Sequence, residues 1–268
     1  MLKNIIIFLT FSLLVPRPYA DQIPLHIATI SDSPTLHRYY HELLDTALKA
    51  DGHEPVLISS ELPHLRAKSY MDFGRLSIHW MVESEQRNKK YISIDVGLTS
   101  GLIGRRVLFI KKGEQALYDK VQNLQDFRDL NLIGGFGQKW FDVKVWQANN
   151  LSYIEHSGNW KSIFKMVPVG HVYDYFSRGL NEILAEAEQH PDLAIEENLV
   201  LIYQRDFIFY LSKEGVNAGA KYKTVIEQAL KKAKANGLIE RLVEKHWAKD
   251  FKVLNYEART KIYLNTPE

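Results

Sequence analysis

The 268-residue sequence predicts an α/β fold, and three observations carry that reading. Short apolar runs alternate with amphipathic stretches along most of the chain. The opening segments read strand, helix, strand, the unit that builds parallel sheets. No Pro/Gly/Ser-rich linker, internal repeat or low-complexity tract interrupts the series, so a second domain would have to be inserted into the first through short crossings.

Taken in order, residues 25–30 (Leu-His-Ile-Ala-Thr-Ile) alternate as a strand does, and 31–34 (Ser-Asp-Ser-Pro) form a turn rich in helix-capping residues. Tyr39, Tyr40, Leu43, Leu44, Ala47 and Leu48 then make a helical stripe that Gly52 stops. Strands are predicted at 55–59, 76–80, 106–110, 130–133, 172–176, 199–203 and 207–211. The polar run 84–90 is expected to be exposed or to line a cleft. Helical patterns occupy 117–124, 139–148, 160–167 and 179–190, and two helices, 222–236 and 238–247, close the chain around Gly237. Lys231, Lys232 and Lys234 read as the solvated face of the first of these.

The first twenty residues have a different character. One lysine precedes an apolar run over 5–15, and Pro-Arg-Pro-Tyr-Ala follows to Ala20. That is the pattern of a secretory signal peptide, too short to span a bilayer, with cleavage expected after Ala20. The chain has no cysteine, which excludes disulfides and a lipid anchor on a cleavage-site cysteine. The whole chain carries 34 basic and 32 acidic residues. Removing 1–20 removes Lys3 and Arg17 and no acid, so the mature chain is formally neutral. A nucleic-acid partner, which asks for a basic face, is therefore not expected.

Three segments are candidates for binding. Gly134-Gly135-Phe136-Gly137-Gln138 stands between a strand and a helix, where backbone N–H groups can meet an anion. It is neither a P-loop nor a dinucleotide fingerprint, and an ordinary tight turn accounts for it equally. Arg87 follows the third strand and offers a planar fork for a carboxylate, with Trp80 as an apolar wall; a surface arginine paired with Glu83 is the alternative. Arg178 stands at the carboxyl end of a strand, where open α/β sheets bind ligands, or else in solvent at a helix start. His37 and His41 share a helix face, but with no third ligand they read as solvated histidines rather than a metal site. No His-Glu-x-x-His or Gly-x-Ser-x-Gly motif occurs, and no thiol is present.

Several of these segments together resemble the extracellular solute-binding proteins of family 3, the type II periplasmic binding proteins of polar amino-acid ABC transporters. The likeness runs from Leu25 to about Phe251. Ser84-Glu85-Gln86-Arg87 is similar to that family's carboxylate-binding segment, and Gly135-Phe136-Gly137-Gln138 to its second-lobe loop. Asn236-Gly237 resembles its terminal helix break. Asp174-Tyr175-Phe176-Ser177-Arg178-Gly179-Leu180-Asn181-Glu182 resembles a subgroup motif. The acid that holds an amino-acid ammonium in that family falls here on Gly179, which points to an anionic, aromatic or dicarboxylate ligand instead.

The resemblance implies two α/β lobes joined by two crossings, with a ligand cleft between them. Residues 21–110 and 213–268 would form the first lobe and 111–212 the inserted second. Arg87, Trp80, Phe136, Gly137, Gln138 and Arg178 would bind the ligand. The expected protein is a periplasmic monomer that captures a small carboxylate-bearing solute for an ABC permease, with no cofactor, metal or catalysis. Two other classes stay open: a sensing module for a membrane receptor, and a dehydratase-like enzyme with Glu83, Glu182 or His79 as general acid.

Overall fold

The alternating pattern of the first strand places its apolar residues under the first helix. The computed structural model describes residues 21–31 and 36–267, so the 1–20 leader and most of the 31–34 turn lie outside the described residues. β1 (Gln22–Ile30) buries Ile23, Leu25, Ile27, Ala28 and Ile30. Its parallel neighbour β2 (Glu54–Leu62) needs a crossover, which α1 (Leu36–Ala50) supplies. The Tyr39 to Leu48 stripe of α1 is fully or almost fully buried. Gly52, at φ 87°, takes the left-handed conformation that lets the chain leave the helix and turn back. α2 (His64–Asp72), β3 (Ile78–Val82), α3 (Glu85–Lys90) and β4 (Ile92–Ser93) follow.

The chain then enters a seven-stranded sheet. In order come β5 (Arg105–Lys111), α4 (Leu124–Asp129), β6 (Gly134–Gly137), α5 (Phe141–Ala148), β7 (Tyr153–His156), α6 (Ile163–Met166), β8 (Tyr175–Gly179), α7 (Ile183–Ala187), β9 (Leu193–Ile195) and β10 (Leu199–Ile202). β5 is the central strand, antiparallel to β8, β9 and β10. Its residues alternate between two cores. Leu108 and Ile110 join Phe136, Trp146 and Tyr175 in one, while Val107 and Phe109 join Phe164 and Phe176 in the other, which continues into the first lobe.

β11 (Phe207–Leu211) returns to the first lobe and lies between β3 and β4. α8 (Lys223–Ala235) and α9 (Leu238–Val253) pack against α1, with Gly237 at φ 73° between them. β12 (Thr260–Tyr263) then pairs in parallel with β10.

The chain thus passes three times between the first lobe and the seven-stranded sheet, between β4 and β5, between β10 and β11, and after α9, where the resemblance implies two crossings. Residues 105–110, read as first lobe, pair in the second sheet, and the last strand joins that sheet as well. Arg259 secures this third crossing: Nη1 donates to the Glu196 and Leu199 carbonyls at 2.7 and 2.8 Å. The strand expected at 130–133 falls four residues later, on the glycines. A Cβ on Gly134 would meet the Tyr175 and Phe136 rings at 2.8–2.9 Å, and one on Gly137 the Trp140 ring at 2.5 Å. Large rings fill the space where side chains would stand, so the glycine run is a buried strand and not a turn. Among the described residues no helix is long and apolar enough to cross a membrane.

Candidate functional site

A cleft of about 750 Å³ opens between the two lobes, within the size range of small-molecule sites. From the first lobe it is lined by the end of β3, the β3–α3 turn, α3 and Phe207; from the second by Arg106 on β5, the start of α5, Arg178, Glu182, Tyr203 and Arg205. Eight lining residues are basic and four acidic, so the cleft carries an excess of four positive charges on a chain predicted to be neutral once mature. Such a cleft concentrates field lines and favours an anionic guest. The start of α5 at Phe141 adds the positive end of a helix dipole to the same wall.

Arg87 is placed by local structure. Ser84 is extended at φ −159° and caps α3, its hydroxyl accepting from the Arg87 N–H at 3.4 Å. The Ser84 N–H donates to the Tyr210 hydroxyl, which donates to Asn88 Oδ1 at 2.7 Å. The Arg87 guanidinium donates to the Val82 carbonyl, and the ionisable groups that act on it are the phenols of Tyr210 and Tyr91 rather than a carboxylate. Burial lowers its pKa from the usual arginine value. The sequence alternative, a pair with Glu83, does not form; Glu83 accepts instead from Asn88 Nδ2 at 3.4 Å.

Trp80 lines the floor of the cleft but is only 2% exposed, because its ring stacks on Tyr40 at 4.5 Å. The apolar walls that rise around the cleft are Trp140, Phe141 and Phe207.

Arg178 reaches the cleft edge and is not in solvent. Its Nε and Nη2 hold Glu186 at 2.7 and 2.6 Å, Nη2 lies 3.1 Å from Glu182, and Trp140, Trp160 and Phe176 surround the guanidinium. Burial alone would depress its pKa; Glu182 and Glu186 outweigh that and raise it.

The second-lobe loop departs from expectation. Phe136 is fully buried against Trp146 and does not line the cleft, and neither Gly137 nor Gln138 does. The Gln138 N–H donates to the His156 carbonyl at 3.1 Å and the Lys139 N–H to Glu155 Oε2 at 2.9 Å, so these amides have partners within the lobe.

Arg106 is the residue that sequence reasoning missed. Its Nε and Nη2 converge on one oxygen of Asp142, at 2.8 and 2.6 Å, and Nε also meets the Tyr203 hydroxyl at 3.1 Å. Burial opposes its charge, but Asp142, Tyr203 and Glu182 raise its pKa. One signal was available: an arginine beginning an otherwise apolar strand must be paired if it is buried. His79, a candidate acid, is buried beside Trp80 and outside the cleft lining. His37 and His41 have rings 5.1 Å apart, and His41 is half-buried with Nε2 2.9 Å from the Ala28 carbonyl, so it is not solvated as the sequence suggested.

Comparison with solved structures fits this geometry. A substrate-binding protein of an amino acid ABC transporter from Streptococcus pneumoniae, bound to L-arginine, superposes with a TM-score of 0.55 at 17% identity, over 85% of this chain and 95% of that one. A probable amino-acid ABC transporter extracellular-binding protein from Bacillus subtilis gives 0.61 at 12% identity, over 86% and 100%. The fold is that of the type II periplasmic binding proteins. An ancestral amino acid-binding protein described as a precursor of cyclohexadienyl dehydratase gives 0.53 at 15%, over 83% and 94%. No family model and no curated protein matches the sequence.

Proposed function

We propose that the protein is a periplasmic solute-binding protein that captures a small carboxylate-bearing solute of amino-acid size for an ABC-type uptake system. One observation carries the reading: Arg87, with no carboxylate partner among the described residues, faces a cleft between two lobes that has four excess positive charges. The neighbours that share the fold are binding proteins of amino acid transporters, which supports the same role, and the 1–20 leader would deliver the chain to the periplasm. Closure would follow when one ligand contacts both lobes and so favours the closed population.

A binding role without chemistry suits the acids that line the second-lobe wall. Asp142 is paired with Arg106 and Glu182 with Arg178. Each is engaged by an arginine rather than presented alone to a guest, whereas a dehydratase needs an acid placed to give a proton. The test is a melting screen of residues 21–268 against amino acids, monocarboxylates, dicarboxylates and aromatic acids. A ligand at 100 times its Kd adds about 2.7 kcal/mol. Stabilisation by at least one carboxylate class is expected. A flat response to every acid would overturn the reading.

A further inference from the structure

We propose that the ligand carries two carboxylates and no ammonium, with Arg87 holding one carboxylate from the first lobe and Arg106 the other from the second lobe's strand β5. This inference rests on the reading of the cleft as a carboxylate site and narrows it.

The observation that carries it is an unmade hydrogen bond. Arg106 is almost fully buried in the cleft wall, at 4% exposure, and its Nη1 has no hydrogen-bond partner. Nε and Nη2 are both committed to Asp142. The nearest acid to Nη1 is Glu182, whose Oε2 stands 3.9 Å away, beyond hydrogen-bond reach, and already accepts from the Gly179 N–H at 3.2 Å while facing Arg178. A buried guanidinium N–H left without an acceptor is costly, and such a group at a cleft wall selects a guest that supplies the missing oxygen. Tyr203 and Asp142 fix the planar fork, so it is oriented before any ligand arrives.

The case against an ammonium rests on the same pairs and on the cleft's excess of positive charge. An α-amino group needs a carboxylate that faces the cleft without another cation. Asp142 and Glu182 are held by arginines. Among the described residues Glu83, on the β3–α3 turn, is the cleft acid without a cation partner; it accepts from Asn88 Nδ2 at 3.4 Å and stands among eight basic lining residues, while Glu85, at the start of α3, is 83% exposed and faces Lys89 at 3.7 Å. The apolar walls of Trp140, Phe141 and Phe207 would cover the carbon frame between the two acids.

The test is calorimetric titration of residues 21–268 with matched pairs: phthalate against benzoate, glutarate against butyrate, and glutarate against glutamate. The diacid should bind at least about tenfold tighter than its monoacid, the worth of one charge-assisted pair, and glutarate tighter than glutamate. The paired variant Arg106→Met/Asp142→Leu removes both partners, so no orphan charge remains. It should reduce the diacid preference to within about twofold and leave the monoacid affinity in place. Arg106→Lys, which keeps the ion pair and removes Nη1, should do the same if the paired variant fails to fold. Equal affinity for diacid and monoacid, tighter binding of glutamate than glutarate, or a preference unchanged in a folded Arg106 variant would overturn the two-acid inference alone. Binding of no acid at all would take the carboxylate reading down with it.

Discussion

Asp206 and Thr99, 107 positions apart, are tied together at the crossing between the lobes: the Thr99 N–H donates to the Asp206 carboxylate at 3.0 Å and its hydroxyl at 2.5 Å. The same carboxylate accepts from the Gly101 N–H at 3.0 Å and the Phe207 N–H at 2.7 Å. One side chain on the return crossing thus satisfies the backbone of the outgoing one, and Gly97 is needed there because a Cβ would meet Asp206 Oδ2 at 2.7 Å.

Replacing Asp206 by alanine strands several buried N–H groups at once. A loss of about 2–4 kcal/mol in urea unfolding is expected, with Thr99→Val costing about half as much. A cost under about 0.5 kcal/mol for Asp206→Ala would show that water serves these donors equally well.

Arg87→Ala should weaken binding of any carboxylate ligand at least about tenfold without unfolding the protein, since the guanidinium is held by a single carbonyl and its loss leaves no unpaired acid. Calorimetry on a variant with an unchanged melting temperature decides this, and unaltered affinity would place the anchor elsewhere.

How much of this was legible beforehand differs by element. Periodicity located α1, β1, β2, α8 and α9 because each buries one regular face. β7, β9 and β12 were invisible. In Tyr153–His156 no residue is fully buried, and in Thr260–Tyr263 only Ile262 is, so pairing with the neighbouring strand rather than pattern makes them strands. β6 was misplaced because its glycines signal a turn locally, while the rings that replace their side chains come from Tyr175, Tyr173 and Trp140. Of the residues that line the cleft, Arg87 beyond β3, Trp80 within it and Arg178 near the end of β8 stood out in the sequence. Arg106 did not, because its partner Asp142 lies 36 positions away on another element, and that spacing has no local signature.

The packing role of the glycine strand gives a separate test. Gly137→Ala should cost about 1–3 kcal/mol, and Trp140→Leu in the same chain should recover part of that by removing the ring the Cβ strikes. Full additivity in thermal melts would mean that the glycine is not there for Trp140.

His41 predicts a pH dependence. Burial lowers its pKa below the usual histidine value, despite its bond to the Ala28 carbonyl. The folded state therefore binds fewer protons than the unfolded one, and stability falls as pH drops through about 6.5. Between pH 7 and 5 the His41→Gln variant should lose less stability than the parent. Parallel curves for the two would exclude His41 as the source.

The claim on which the account turns is that two bodies close on one anionic guest, and the cysteine-free chain allows it to be measured cleanly. Spin labels at Lys234→Cys on α8 and Ile154→Cys on β7, both at exposed positions on different lobes, report the distance between them. With the carboxylate that most raises the melting temperature added to saturation, the pulsed dipolar distance distribution should narrow and move to a new maximum. The same addition to Arg87→Ala should leave it where it began. A distribution that does not change with a bound carboxylate would contradict the account.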